Sequence, residues 1–105
     1  METDRELLEF AAKASGLDGY FASDDQSERD EYWDPLTNDG DAFRLLVELC
    51  ITIKYGSGYV YASHSTFRTC FAEPLNKGKE SAIRLAIVRV AAEIGRKKNE
   101  ASNGN

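Results

Sequence analysis

The segment from Gly78 to Lys97 limits the fold more than any other, because apolar residues recur through it at the period of a helix and cover most of its girth. Ile83, Ile87, Val90, Ala91 and Ile94 fall on one face, and Ala82, Leu85, Ala86 and Val88 broaden it. A surface helix needs an apolar stripe only about 100° wide. A broader one requires neighbours on several sides, so this helix is expected to be the central packing element. At 1.5 Å per residue, about 20 residues span roughly 30 Å, the width of a small domain. Arg96, Lys97 and Lys98 suit its negative C-terminal end. The residues beyond, 99–105, are expected to form a flexible tail on a single domain spanning 1–98.

What packs against such a helix is suggested by the residues before it. In ITIKY, Ile51, Ile53 and Tyr55 alternate with Thr52 and Lys54, the period of a half-buried strand. Gly56-Ser57-Gly58 supplies a tight turn, and YVYASH (59–64) returns as a second, tyrosine-rich strand. FRTCFA (67–72) predicts a third, with Phe67, Thr69 and Phe71 on one face and Arg68, Cys70 and Ala72 on the other. Short links between three strands imply an antiparallel meander. Glu73-Pro74-Leu75-Asn76 ends it.

Two helices are expected upstream. Thr3 with Glu6 reads as a capping box, Leu7, Phe10, Ala11 and Ala14 as a buried stripe, and Gly16 as the stop, giving a helix over about 4–15. Leu17, Tyr20 and Phe21 suggest a short strand or an anchor, and residues 22–34 have the charge and aperiodicity of a loop. Pro35 marks a boundary. Thr37 or Asn38 then caps a second helix ending near Leu49, with acids Asp39 and Asp41 at its positive end. Phe43, Leu46, Val47 and Cys50 are read as its buried stripe, widened by Leu45 and Leu49. Trp33 is read as largely buried, anchoring the start of this helix. The expected fold is therefore α+β: a three-stranded antiparallel meander packed with about three helices, in the order α-α-β-β-β-α. A mostly helical bundle with a small hairpin is the alternative. With 105 residues, one modest core is all the chain can build.

Charge divides the chain. Residues 1–50 carry 14 acids against 4 bases, a net of −10, and residues 51–105 carry 4 acids against 9 bases, a net of +5. The acidic half opposes contact with a phosphate backbone. No apolar run approaches the roughly 20 residues of a membrane span. METDRELLEF lacks the basic and apolar regions of a secretory signal, so a cytoplasmic location is expected. In that setting Cys50 and Cys70 are read as two buried free thiols, with a disulfide as the other possibility.

Motifs for chemistry are scarce. His64 stands at a strand end beside Ser63, Ser65 and Thr66; a pairing with Cys70 is conceivable, but a solvent-touching histidine is the plainer reading. One histidine and two distant cysteines do not make a zinc site, and no metal or other cofactor is expected. Aligning Gly40 with the glycine of a calcium loop puts Pro35 and Leu46 at ligand positions, which excludes it. Gly56 and Gly58 are not followed by a helix, so they are no phosphate loop. No catalytic residue is assigned.

The acidic segment holds the main binding candidates: Asp24, Asp25, Glu28, Asp30, Glu31 and Asp34, with Tyr32 among them. Such a field suits a protein partner with a basic surface, including by mimicry of nucleic-acid phosphates; a merely solvated loop is the plain alternative. A second set, Trp33, Arg44, Tyr59, Tyr61 and Arg68, offers stacking and phosphate contacts for a small ligand or nucleotide. A third, Lys77, Lys79, Arg84 and Arg89 extended by Lys54 and Arg68, offers a basic patch for nucleic acid.

Three blocks carry a resemblance: LLEFAAKASG at 7–16, Trp33-Asp-Pro-Leu-Thr-Asn-Asp-Gly-Asp-Ala-Phe-Arg-Leu45, and Ile83-Arg-Leu-Ala-Ile-Val-Arg-Val-Ala-Ala-Glu-Ile-Gly95. Together they resemble small bacteriophage and prophage proteins of the NinX-like group, in which a W-[ND]-P-L-x-x-D-G-D-A-x-R-L block precedes a late helix of this type. The chain departs from that pattern at Asn38 and Phe43 and in a shorter, tyrosine-rich middle. The resemblance implies a phage accessory protein made in a bacterial cytoplasm and transfers no catalytic residue. Physically, the block reads as a tryptophan anchor followed by helix capping.

Overall fold

A computed structural model describes residues 3–16 and 33–103. Among them lie three helices, α1 (Asp4–Ser15), α2 (Asp39–Leu49) and α3 (Lys79–Asn103), and three strands, β1 (Thr52–Gly56), β2 (Tyr59–His64) and β3 (Thr69–Pro74), in the order α1-α2-β1-β2-β3-α3. The strands form one antiparallel sheet in the order β1-β2-β3. The α+β class, the element order and the meander are as the sequence leads one to expect.

Helix α3 occupies the middle of the structure, touching α1, α2, β2 and β3. Its wide apolar surface is covered accordingly, with Ala82, Ala86, Ile87, Val88, Val90, Ala91, Ala92 and Ile94 all buried. It is also longer than its apolar pattern indicates. It continues to Asn103, so the stretch read as a tail from residue 99 is helical up to that point.

The α1 boundaries are local chemistry. Thr3 and Glu6 make the full capping box, and Gly16 closes the helix at φ 85° in the left-handed region. In the sheet, Ser57 (φ 50°) and Gly58 (φ 82°) form the two-residue turn between the paired residues Gly56 and Tyr59. Positive φ at both positions matches the right-handed twist of the flanking strands.

Register sets the two faces of the sheet. Ile53, Ala62 and Phe71 stand side by side, as do Tyr55, Val60 and Glu73, on the face towards α3. Thr52, Ser63 and Cys70 and then Lys54, Tyr61 and Ala72 line the opposite face. The alternation in β3 is as expected, but the strand lies two residues later than FRTCFA suggests. Phe67 and Arg68 belong to the link before it, where Arg68 adopts φ 51° and its N–H donates to Ser65 O at 3.2 Å. Both cysteines are free, and both are exposed rather than buried. Cys50 caps α2 in a left-handed conformation, and Cys70 falls on the uncovered face of β3.

Candidate interaction surface

Helix α2 is set in place by the Trp33–Asp41 segment. Trp33 packs, partly buried, against the core. Asp34 Oδ1 then accepts from Leu36 N (3.1 Å), and Asp34 O accepts from Thr37 N (3.0 Å) and Asn38 N (2.8 Å), which folds Pro35–Thr37 into a turn. Asn38 Oδ1 caps the helix by accepting from Asp41 N at 2.8 Å, and the buried Asp41 carboxylate reaches back to accept from Asp34 N at 2.9 Å. Arg84 of α3 closes the arrangement: Nε donates to Leu36 O at 2.8 Å and the guanidinium pairs with Asp39 at 2.5 Å. Asp34, Asn38, Asp39 and Asp41 thus each have a structural task. Asp34, placed by its sequence among binding candidates, is one of them. The others, Asp24, Asp25, Glu28, Asp30, Glu31 and Tyr32, lie outside the described residues.

The orientation this gives α2 differs from the sequence expectation. Ala42 and Leu45 are buried with Asp41, whereas Phe43 is 63% and Val47 54% exposed. The helix carries two apolar stripes, and the core takes the smaller-residue one. Capping decides between them: tying Asp41 to Asp34 N turns that side inward, and Phe43, Val47 and Cys50 then face out. Beside this stripe a groove of about 250 Å³ runs between α2 and α3, lined by Ala42, Phe43, Leu46, Ile83 and Ile87, with Asp39, Glu80 and Arg84 at its margins. From the sequence alone, Phe43 and Val47 are expected in the core. The available signal was the excess of apolar positions on α2, more than one packing face uses.

The basic residues of the C-terminal half are mostly engaged within the fold. Arg84 holds the α2 turn, Arg89 pairs with Glu73 at 2.9 Å and lies over Phe71, and Arg96 pairs with Glu93 and lies over Phe10. Lys97 Nζ donates to Phe67 O (2.5 Å), and Lys98 Nζ to Ala14 O (3.1 Å), a carbonyl at the end of α1. Of the patch proposed for nucleic acid, Arg84 and Arg89 are therefore committed to acids of this chain, while Lys54, Arg68, Lys77 and Lys79 are exposed on separate elements.

The small-ligand set is dispersed. Tyr59 and Tyr61 stand together on the open sheet face, with ring centroids 6.3 Å apart. Arg44 lies on α2, and Arg68 follows the far end of β2 from Tyr59. His64 is accounted for locally: its Nδ1 accepts from Phe67 N (3.5 Å), and its ring meets Phe67 edge-on at 5.3 Å. It pairs across the strands with Thr69, one residue from Cys70, so strand alternation sends His64 and Cys70 to opposite faces. That geometry does not provide a nucleophile–base pair. Among the described residues, no group of three or more His, Cys, Asp or Glu side chains is arranged to hold a metal ion, and no helix is long and apolar enough to cross a membrane. Comparison with family models, with curated proteins and with solved structures finds no match to this chain.

Proposed function

We propose that this is a non-enzymatic accessory protein, of bacteriophage or prophage origin, that binds a host or defence-system protein through its acidic N-terminal half in the bacterial cytoplasm. The observation carrying this reading is the unequal division of charge between the two halves of the chain. Arg84, Arg89, Arg96, Lys97 and Lys98 are all tied to groups of the fold. These cations are thus engaged within the fold, while the N-terminal half has a net charge of −10 from its 14 acids and 4 bases. A field of one sign selects partners of the other sign and speeds their encounter. The expected partner is a protein with a basic surface, such as one that ordinarily holds nucleic acid. Inhibition of a bacterial immune complex is the concrete form of this proposal.

The test is capture from bacterial lysate on the immobilised full chain, with mass spectrometry of retained proteins and small molecules. A basic, nucleic-acid-binding protein displaced by added DNA is the expected result. Retention of a nucleotide alone would replace this reading with sequestration of a small ligand. A salt-dependent mobility shift of DNA with the isolated protein would replace it with nucleic-acid binding.

A further inference from the structure

We propose that α2 is also a self-association surface, pairing antiparallel with α2 of a second copy about a two-fold axis near Leu46. Phe43, Val47 and Cys50 follow one another at helical spacing along the exposed side of α2, with the partly buried Leu46 beside them. Apolar groups gathered on one exposed side of a helix give a second chain something to cover.

Charge on the flank of the stripe identifies the occupant. Arg44, whose side chain is 79% exposed, and Glu48, also exposed, lie one turn apart on the same side of the helix. Reversing a second α2 about Leu46 places Arg44 of each copy opposite Glu48 of the other, twice by symmetry. A parallel pair would instead send this flank of the two copies to opposite sides of the contact, where the charges do not meet. Arg44 already lies 3.5 Å from the Asp41 carboxylate, but that carboxylate accepts from Asp34 N, and the guanidinium remains open to solvent. The same reversal sets the positive end of each helix beside the negative end of the other. Phe43 of one copy then faces the Val47–Cys50 end of its mate. This is the self-complementarity that an isologous interface requires. An 11-residue helix buries less than the roughly 800 Å² per partner of a standard interface. Association in the micromolar range is therefore expected.

Sedimentation equilibrium on the full chain from about 1 µM to 1 mM tests this. Wild type is expected to follow a reversible monomer–dimer equilibrium. Val47→Lys, at an exposed position where a cation suits the helix end, should shift it towards monomer with unchanged circular dichroism. Arg44→Glu and Glu48→Arg should each weaken dimerisation by about tenfold, and the double swap should restore it to within about threefold of wild type. That restoration distinguishes a second copy from any other partner and stands even where Val47→Lys perturbs folding. A monomer throughout the range overturns the proposal, as does a dimer whose affinity the swaps leave unchanged. Either outcome leaves capture of a host protein by the acidic half a separate question.

Discussion

At Gly95 the absence of a side chain is a packing requirement. A Cβ built there would lie 1.9 Å from Phe10 O, a backbone atom of α1 that cannot rotate aside. In an exposed helix, alanine in place of glycine is favourable by about 1 kcal/mol. Here the clash reverses the sign. Gly95→Ala is expected to destabilise the protein by about 3 kcal/mol, because α1 and α3 must separate to admit the methyl group. That is a large share of a small domain's stability; urea unfolding of the variant, at unchanged m, measures it. Cys50 presents the opposite situation. It holds the αL position at the end of α2 (φ 56°), and its side chain is exposed. Relief of αL strain is worth about 1–2 kcal/mol, offset by the greater freedom of an unfolded glycine. Cys50→Gly is expected to raise stability by up to about 1 kcal/mol. A lower urea midpoint would show that the thiol makes a contact worth more than the strain.

Helix α2 depends on an element distant in sequence. Arg84 is 18% exposed and donates both to Leu36 O and to Asp39, so it fastens the turn before α2 to the first part of α3. Removing it leaves a partly buried carbonyl without its donor, at a cost of about 1–3 kcal/mol. Asp39 is 76% exposed, and its half of the contact is worth under about 1 kcal/mol. Arg84→Ala should therefore destabilise more than Asp39→Ala, and amide exchange should accelerate first in α2. Equal costs would place the value in the ion pair instead. This tie was not legible in the sequence, since nothing in the residues joins Arg84 to Leu36 across 48 positions. What could be read was whatever is decided locally. The Thr3–Glu6 box, the Asn38 cap, the Ser57-Gly58 turn and the strand alternation each state their conformation within a few residues. The facing of α2 could not be read that way. Phe43/Val47 and Ala42/Leu45 are both acceptable apolar stripes, and the long-range contacts of Asp34, Asp41 and Arg84 choose between them. The exposure of both cysteines has a related cause: apolar sequence neighbours do not bury a residue at a helix cap or on a sheet's open face.

Among the described residues, the cations of α3 are largely committed to the fold. Cations of α3 hold the end of α1, the link before β3, a buried glutamate of β3 and the turn before α2. Neutralising them should lower stability before it alters any binding. The carboxylates of the acidic segment are expected to behave in the reverse way. If that segment meets a basic partner, the long-range attraction acts mainly on the rate of encounter and is screened over a Debye length of about 8 Å at physiological salt. Replacing Asp24, Asp25, Glu28 and Asp30 by their amides removes four negative charges without changing side-chain shape. The association rate with the captured partner should fall by about tenfold at low salt, and the variant's rate should depend less on salt than that of wild type. Dissociation should change little, since rates of separation report close contacts rather than the field. Two salt concentrations in a flow-cell measurement suffice. Equal association rates and equal salt slopes for the two proteins would remove the acidic segment from the functional account, and the open face bearing Tyr59 and Tyr61 would then be the surface to alter next.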